Sequence, residues 1–91
     1  MNILCTPLYE TQLKELLSQF AEEDFKAAKA FKLYLDTIII NIQTKAHKYK
    51  KSIYFDDENI KDIEHEKYTI VFFEDKSNQN YLLLSIIQRA L

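Results

Sequence analysis

From Tyr9 to Phe20 the apolar residues recur at three- and four-residue intervals as Tyr9, Leu13, Leu16, Leu17 and Phe20, leaving Glu10, Gln12, Lys14 and Gln19 for the opposite side. That spacing predicts an amphipathic helix, because side chains three and four apart share a helical face. The stripe returns as Ala28, Phe31, Leu35, Ile38, Ile39 and Ile42 and predicts a second helix of about five turns ending before Lys45. Thr6 stands where an N-cap belongs, with Pro7 suited to the first helical turn, and Asp24 can cap the second helix. Ahead of Pro7, the weak alternation from Asn2 to Thr6 predicts a short strand.

The second half of the chain changes period. Lys51–Ile63, Lys67–Glu74 and Tyr81–Arg89 read as three consecutive strands, and the run Tyr68–Phe73 is rich in β-branched and aromatic residues. The polar cluster Glu74–Asn80 separates the last two and predicts an antiparallel hairpin. The expected fold class is therefore α+β: an N-terminal strand, a two-helix antiparallel hairpin, then a three-strand antiparallel meander, forming a single domain over residues 1–91.

Composition narrows the functional classes. The chain has no glycine, and Pro7 is its only proline, which excludes glycine-rich phosphate loops. Tight two-residue hairpins, which favour Gly or Asn at positive φ, are unexpected, and Asn78 and Asn80 are the candidate turn formers. Hydrophobic content of 47% with 29% charged residues is that of a folded protein. The longest apolar runs, Thr37–Ile42 and Tyr81–Ile87, fall far short of the roughly 20 residues that span a bilayer. The single cysteine, Cys5, cannot form an internal disulfide, and the first residues lack a signal-peptide layout, so a cytoplasmic location is expected. On an apolar strand Cys5 is expected to be a buried, inert thiol.

Three segments carry candidate chemistry. Lys45, His47, Lys48, Lys50 and Lys51 surround Tyr49 without an acidic residue at the end of the second helix. Cations there complement the helix dipole, or they form a phosphate-contacting patch with Tyr49 available to stack on a base. Next, Asp56, Asp57, Glu58, Asp62, Glu64 and Glu66, interrupted by Lys61 and His65, show no metal-ligand spacing and read as a solvated loop and strand face. Neither a metal nor a cofactor is expected. Strand alternation would send His65 and Glu66 to opposite faces, which argues against an acid/base pair. In the run Ile38-Ile39-Ile40 one residue must leave the core stripe, and Ile40 is the candidate partner-facing residue, an ordinary exposed apolar residue being the plain alternative.

The element order, with Ile60-Lys61-Asp62-Ile63, Lys67-Tyr68-Thr69-Ile70-Val71-Phe72-Phe73-Glu74-Asp75 and Leu82 through Arg89, resembles the RelE/ParE superfamily of bacterial type II toxins over nearly the whole chain. Lys61, Tyr68 and Arg89 stand where the family has a basic strand residue, an aromatic-led strand and a basic ending. The resemblance implies the toxin of a toxin–antitoxin system, associated with plasmid stabilisation and growth inhibition. RelE-like members cleave mRNA on the ribosome, whereas ParE-like members poison DNA gyrase. For cleavage the resemblance implies Lys61 and Arg89 with the titratable His47 and His65 as the catalytic set, and Lys45, Lys48, Tyr49, Lys50 and Lys51 as nucleic-acid contacts. It also implies a cognate antitoxin as partner, DNA contact only through that complex, no cofactor and no membrane. Departures stand beside the likeness: the net charge is −2 with a pI near 5.6, Thr69 follows Tyr68 where the family often has Arg, and the chain ends two residues after Arg89. The alternative is a catalytically inactive α+β interaction domain that pairs with an antitoxin-like partner.

Overall fold

A computed structural model describes residues 1–89. The chain runs β1 (Asn2–Cys5), α1 (Pro7–Glu23), α2 (Phe25–Ile40), α3 (Ile42–Lys45), a 3-10 turn (Ala46–Lys48), β2 (Ile60–His65), β3 (Tyr68–Asp75) and β4 (Asn80–Gln88). The α+β order expected from the sequence is the one observed.

Both predicted caps form. Thr6 Oγ1 accepts from Tyr9 N at 3.0 Å and donates to Leu84 O at 2.8 Å, so the hydroxyl that starts α1 also ties it to β4. Asp24 Oδ1 accepts from Ala27 N at 3.0 Å and starts α2. The second helix is not continuous to Lys45. It stops at Ile40 after the β-branched run Thr37–Ile40, Asn41 interrupts it, and α3 adds one further turn.

The sheet order is β1-β4-β3-β2. The meander pairs antiparallel, while β1 lies parallel to β4 with Ile3 opposite Tyr81 and Cys5 opposite Leu83. A parallel pair needs a long crossover, and the helices and meander between these two strands provide it. Beyond β2, a lone bridge from Lys51 to Lys61 begins to cover the other edge.

Two turns differ from expectation. Only Glu66 and Lys67 separate the paired residues His65 and Tyr68, a tight two-residue hairpin that takes Glu66 to φ 54°. At the second hairpin Gln79 takes φ 55°, Asn80 is already the first residue of β4, and Asn78 ties the turn through its backbone N and Nδ2 to Asp75. With no glycine in the chain, strand register forces a residue with a Cβ into the left-handed region at each turn.

The core lies between the helices and one sheet face. Phe31, Leu35 and Ile42 of the helical layer meet Ile63, Ile70, Phe72, Leu83 and Ile86 of the sheet. Pairs directly opposite on neighbouring strands share a face, so Lys61, opposite Phe72, and His65, opposite Tyr68, belong to this helix-covered face. Asp62, Glu64, Thr69, Val71 and Ser85 take the opposite face. Cys5 is exposed, because its strand is the short edge of the sheet.

Candidate functional site

Lys61 is drawn inward. Its ammonium donates to Ala46 O at 3.0 Å and lies 3.6 Å from Glu74 Oε2, with both side chains under one-fifth exposed. The sequence had suggested a cation free to hold a phosphate, and the structure gives it a carbonyl and a carboxylate. His65, four residues on along β2, sets its ring against Phe31 with centroids 5.5 Å apart, and its Nε2 is buried without a partner among the described residues.

Arg89 belongs to the other side of the sheet. It follows Gln88, which is opposite Tyr68 on the helix-covered face, so alternation turns Arg89 away, and its Nη1 lies 3.3 Å from Glu64 Oε2. His47 is exposed on the 3-10 turn. The fold thus brings Lys61 and His65 to one face, Arg89 to the opposite one, and leaves His47 on the turn that closes the helical layer.

The basic segment stays together. Lys45, His47, Lys48 and Lys50 are exposed and make no ion pair among the described residues. Tyr49 is half-buried, its ring edge-on to Phe72 at 6.0 Å, which fixes the chain trace and turns the neighbouring cations outward. Lys51 is separate in character: its ammonium donates to Asp56 Oδ1 at 2.8 Å, with Glu58 at 3.8 Å, raising the lysine pKa and lowering that of Asp56. An exposed pair of this kind adds little stability, and it neutralises one cation of the patch.

Ile40 is 67% exposed, whereas Ile38 and Ile39 pack against the core. It has company that the stripe argument did not pick out, since Leu33 and Tyr34 on α2 are also two-thirds exposed. A second feature not singled out from the sequence is the loop Ile53-Tyr54-Phe55, three consecutive exposed apolar residues. Asp62 Oδ2 accepts from Ile53 N at 3.0 Å and Ser52 Oγ from Tyr54 N at 3.1 Å, so this tip is pinned. The signal for it was present as an apolar run followed at once by Asp56-Asp57-Glu58, but it reads equally well as a strand. Asp62 Oδ1 is buried without a hydrogen-bond partner among the described residues on the face opposite the core, beside Thr69, Val71 and Ser85, all under 7% exposed.

No helix is long and apolar enough to cross a membrane, and no group of acidic, histidine and cysteine side chains is arranged to hold a metal among the described residues. Neither the known protein-family models nor the curated proteins contain a match to this sequence. Among solved structures, a chain described as "Chromosomal ParDE TA system from P. aeruginosa" matches with a TM-score of 0.69 at 12% sequence identity, covering 99% of this chain and 97% of that one. At that identity the likeness shows the fold alone, and the α+β order read from the sequence is the one found.

Proposed function

We propose that this chain is the toxin of a type II toxin–antitoxin pair, held by a protein antitoxin, and that it acts by binding its target, DNA gyrase, without cleaving RNA. The observation that carries the toxin reading is the likeness of fold, over the whole of both chains, to a chain from a ParDE system. The separation of Lys61 and His65 from Arg89 by the sheet supports binding over cleavage. In-line attack by a 2′-hydroxyl needs a base, an acid and cationic stabilisation converging on one phosphate. Lys61 already satisfies Ala46 O and Glu74, which favours a structural use of its charge.

A specific observation favours a second reading. The exposed cations Lys45, Lys48 and Lys50, with His47 and Tyr49 among them, suit a phosphate backbone and support contact with ribosomal or messenger RNA, as in a ribosome-dependent mRNA endoribonuclease. The net charge of −2 weighs against long-range attraction to RNA. An inert interaction domain that pairs with an antitoxin-like partner is the remaining alternative.

The test is tightly controlled expression in bacteria of the wild type, the Arg89→Ala variant and a Lys48→Ala, Lys50→Ala variant, each confirmed as folded. Growth arrest by all three, with DNA-damage signalling and unchanged transcript ends, is the expected result. New cleavage sites in translated messages, lost with either variant, would replace this reading by the nuclease one. Absence of arrest from soluble folded protein, in the host carrying the natural target, would leave only the inert domain. Antitoxin rescue should weaken with Ile40→Asp, which removes an exposed apolar contact and leaves the core intact.

A further inference from the structure

The groove between α1 and the β2–β3 turn has a volume of about 470 Å³ and is lined by none of the residues discussed above as catalytic or nucleic-acid-binding, though His65 and Arg89 adjoin its end. Its floor joins the apolar Leu16, Phe20 and Ile86 and the ring of Tyr68 to the amides of Gln12 and Gln88. One wall is the α1 row Glu15, Gln19 and Glu23, spaced four residues apart and therefore on one helical face. Facing it across the floor are Glu66 and Lys67 of the tight turn. Three carboxylates against one ammonium make the groove acidic, and Glu15 and Glu23 are exposed and make no ion pair among the described residues.

The surroundings of Tyr68 report the same environment. Its phenol is raised above the ordinary tyrosine range by burial first, then by the charges of Glu66 and Glu23, so both walls reach the floor electrostatically. Gln12 is already engaged, its Oε1 accepting from Ile86 N at 3.0 Å, which fixes β4 against α1 and holds the floor in place. The groove is therefore preformed, with an apolar patch below and negative charge at its rims.

We infer that this groove docks an extended peptide segment of a protein partner that carries two lysines or arginines flanking a large apolar side chain. Charge complementarity sets the sign of the partner, and the geometry sets the spacing. Eight residues separate Glu15 from Glu23, about 12 Å along a helix at 1.5 Å per residue. In an extended strand, residues four apart span about 13 Å, so basic residues at i and i+4 meet the two carboxylates while the side chain at i+2 faces the floor. Gln19, between the two carboxylates, faces the middle of such a segment and offers it an amide donor and acceptor. The inference rests on the partner reading above in that it gives a chemical character to the partner's toxin-binding segment: basic and apolar, complementary to this acidic chain.

The protein contains no tryptophan, so a tryptophan in the probe gives an uncontested signal. The probe is the blocked peptide Lys-Leu-Trp-Leu-Lys, with Glu-Leu-Trp-Leu-Glu as its charge-reversed counterpart. Titration of the full chain should shift the probe's emission to the blue as the indole enters the apolar patch, with no shift for the acidic peptide. Glu15→Gln with Glu23→Gln should weaken binding at least tenfold, whereas Asp57→Asn with Glu58→Gln, an acidic site away from the groove, should leave it unchanged. Equal weakening by both pairs of substitutions, an absent blue shift, or equal binding of the acidic peptide would overturn the inference. Self-association of the protein that blocks the probe would overturn it as well, by assigning the groove to the basic segment Lys45–Lys50 of a second copy. Because the titration reads the groove directly and the growth experiment reads toxicity, failure of one is distinguishable from failure of the other.

Discussion

Lys61 Nζ donates to Ala46 O at 3.0 Å, joining the second strand of the sheet to the turn that ends the helical layer. The carbonyl already accepts from Tyr49 N at 3.2 Å within the 3-10 turn, and the ammonium gives it a second donor while also facing Glu74 at 3.6 Å. One side chain thus ties the end of the helical layer to the sheet, beside the lone Lys51–Lys61 bridge.

Lys61→Met retains the apolar stem and removes both polar contacts. The expected result is a loss of about 1–3 kcal/mol, since the Glu74 carboxylate, under one-fifth exposed, loses the cation that faces it. Chemical denaturation should show a lower midpoint at an unchanged slope. A midpoint indistinguishable from wild type would mean that the contact is not structural, and would return Lys61 to the pool of functional cations.

Three tyrosines should make the fold sensitive to alkali. Burial raises Tyr9, Tyr68 and Tyr81 above the ordinary tyrosine value of 10.0, with the charges of Glu66 and Glu23 adding at Tyr68 and Glu74 at Tyr81. A folded-state pKa above the unfolded value gives stability that is fully present below pH 10 and is lost as pH rises through the folded values. Phenolate absorbance and circular dichroism followed together should therefore show part of the tyrosine titration arriving only with unfolding. A single titration step near pH 10 with the dichroism unchanged would contradict this.

Cys5 should react slowly for an exposed thiol. Partial burial raises its pKa above the ordinary 9.0, the nearby Glu10 raises it further, and Lys32 only partly offsets them. Thiolate is the reacting form, so alkylation by iodoacetamide near neutral pH should be slower than for a free small thiol and should accelerate with Glu10→Gln. A rate above that of the free thiol would show an electropositive neighbourhood that this arrangement lacks.

Local signals in the sequence proved dependable where the cause was local. Thr6 and Asp24 cap the helices because an N-cap needs only a side-chain oxygen within three residues of the amide it accepts. The stripe that buries Phe31, Leu35 and Ile42 also puts Ile40 outside, since a hundred-degree turn per residue leaves one of three consecutive isoleucines off the core.

The turns were harder to read. Absence of glycine argued against a two-residue hairpin, yet Glu66 and Lys67 make one. Pairing along all of β2 and β3 outweighs the roughly 1–2 kcal/mol of placing one residue with a Cβ in the left-handed region. Edge position, likewise a property of the assembled sheet, left Cys5 exposed where an apolar strand had suggested burial.

By itself, then, the sequence determined the order of helices and strands, the helix starts and the face each helix buries, because these follow from periodicity and from contacts a few residues long, whereas the strand read over Lys51–Ile63 is confined to Ile60–His65. Only the tertiary structure decided that β1 lies parallel to β4, that Lys61 and His65 share a face which Arg89 does not, and that Glu15, Glu23 and Glu66 rim one groove. Those relations depend on strand pairing between residues far apart in the chain. A one-residue change of register would exchange the two faces of a strand without altering any local pattern.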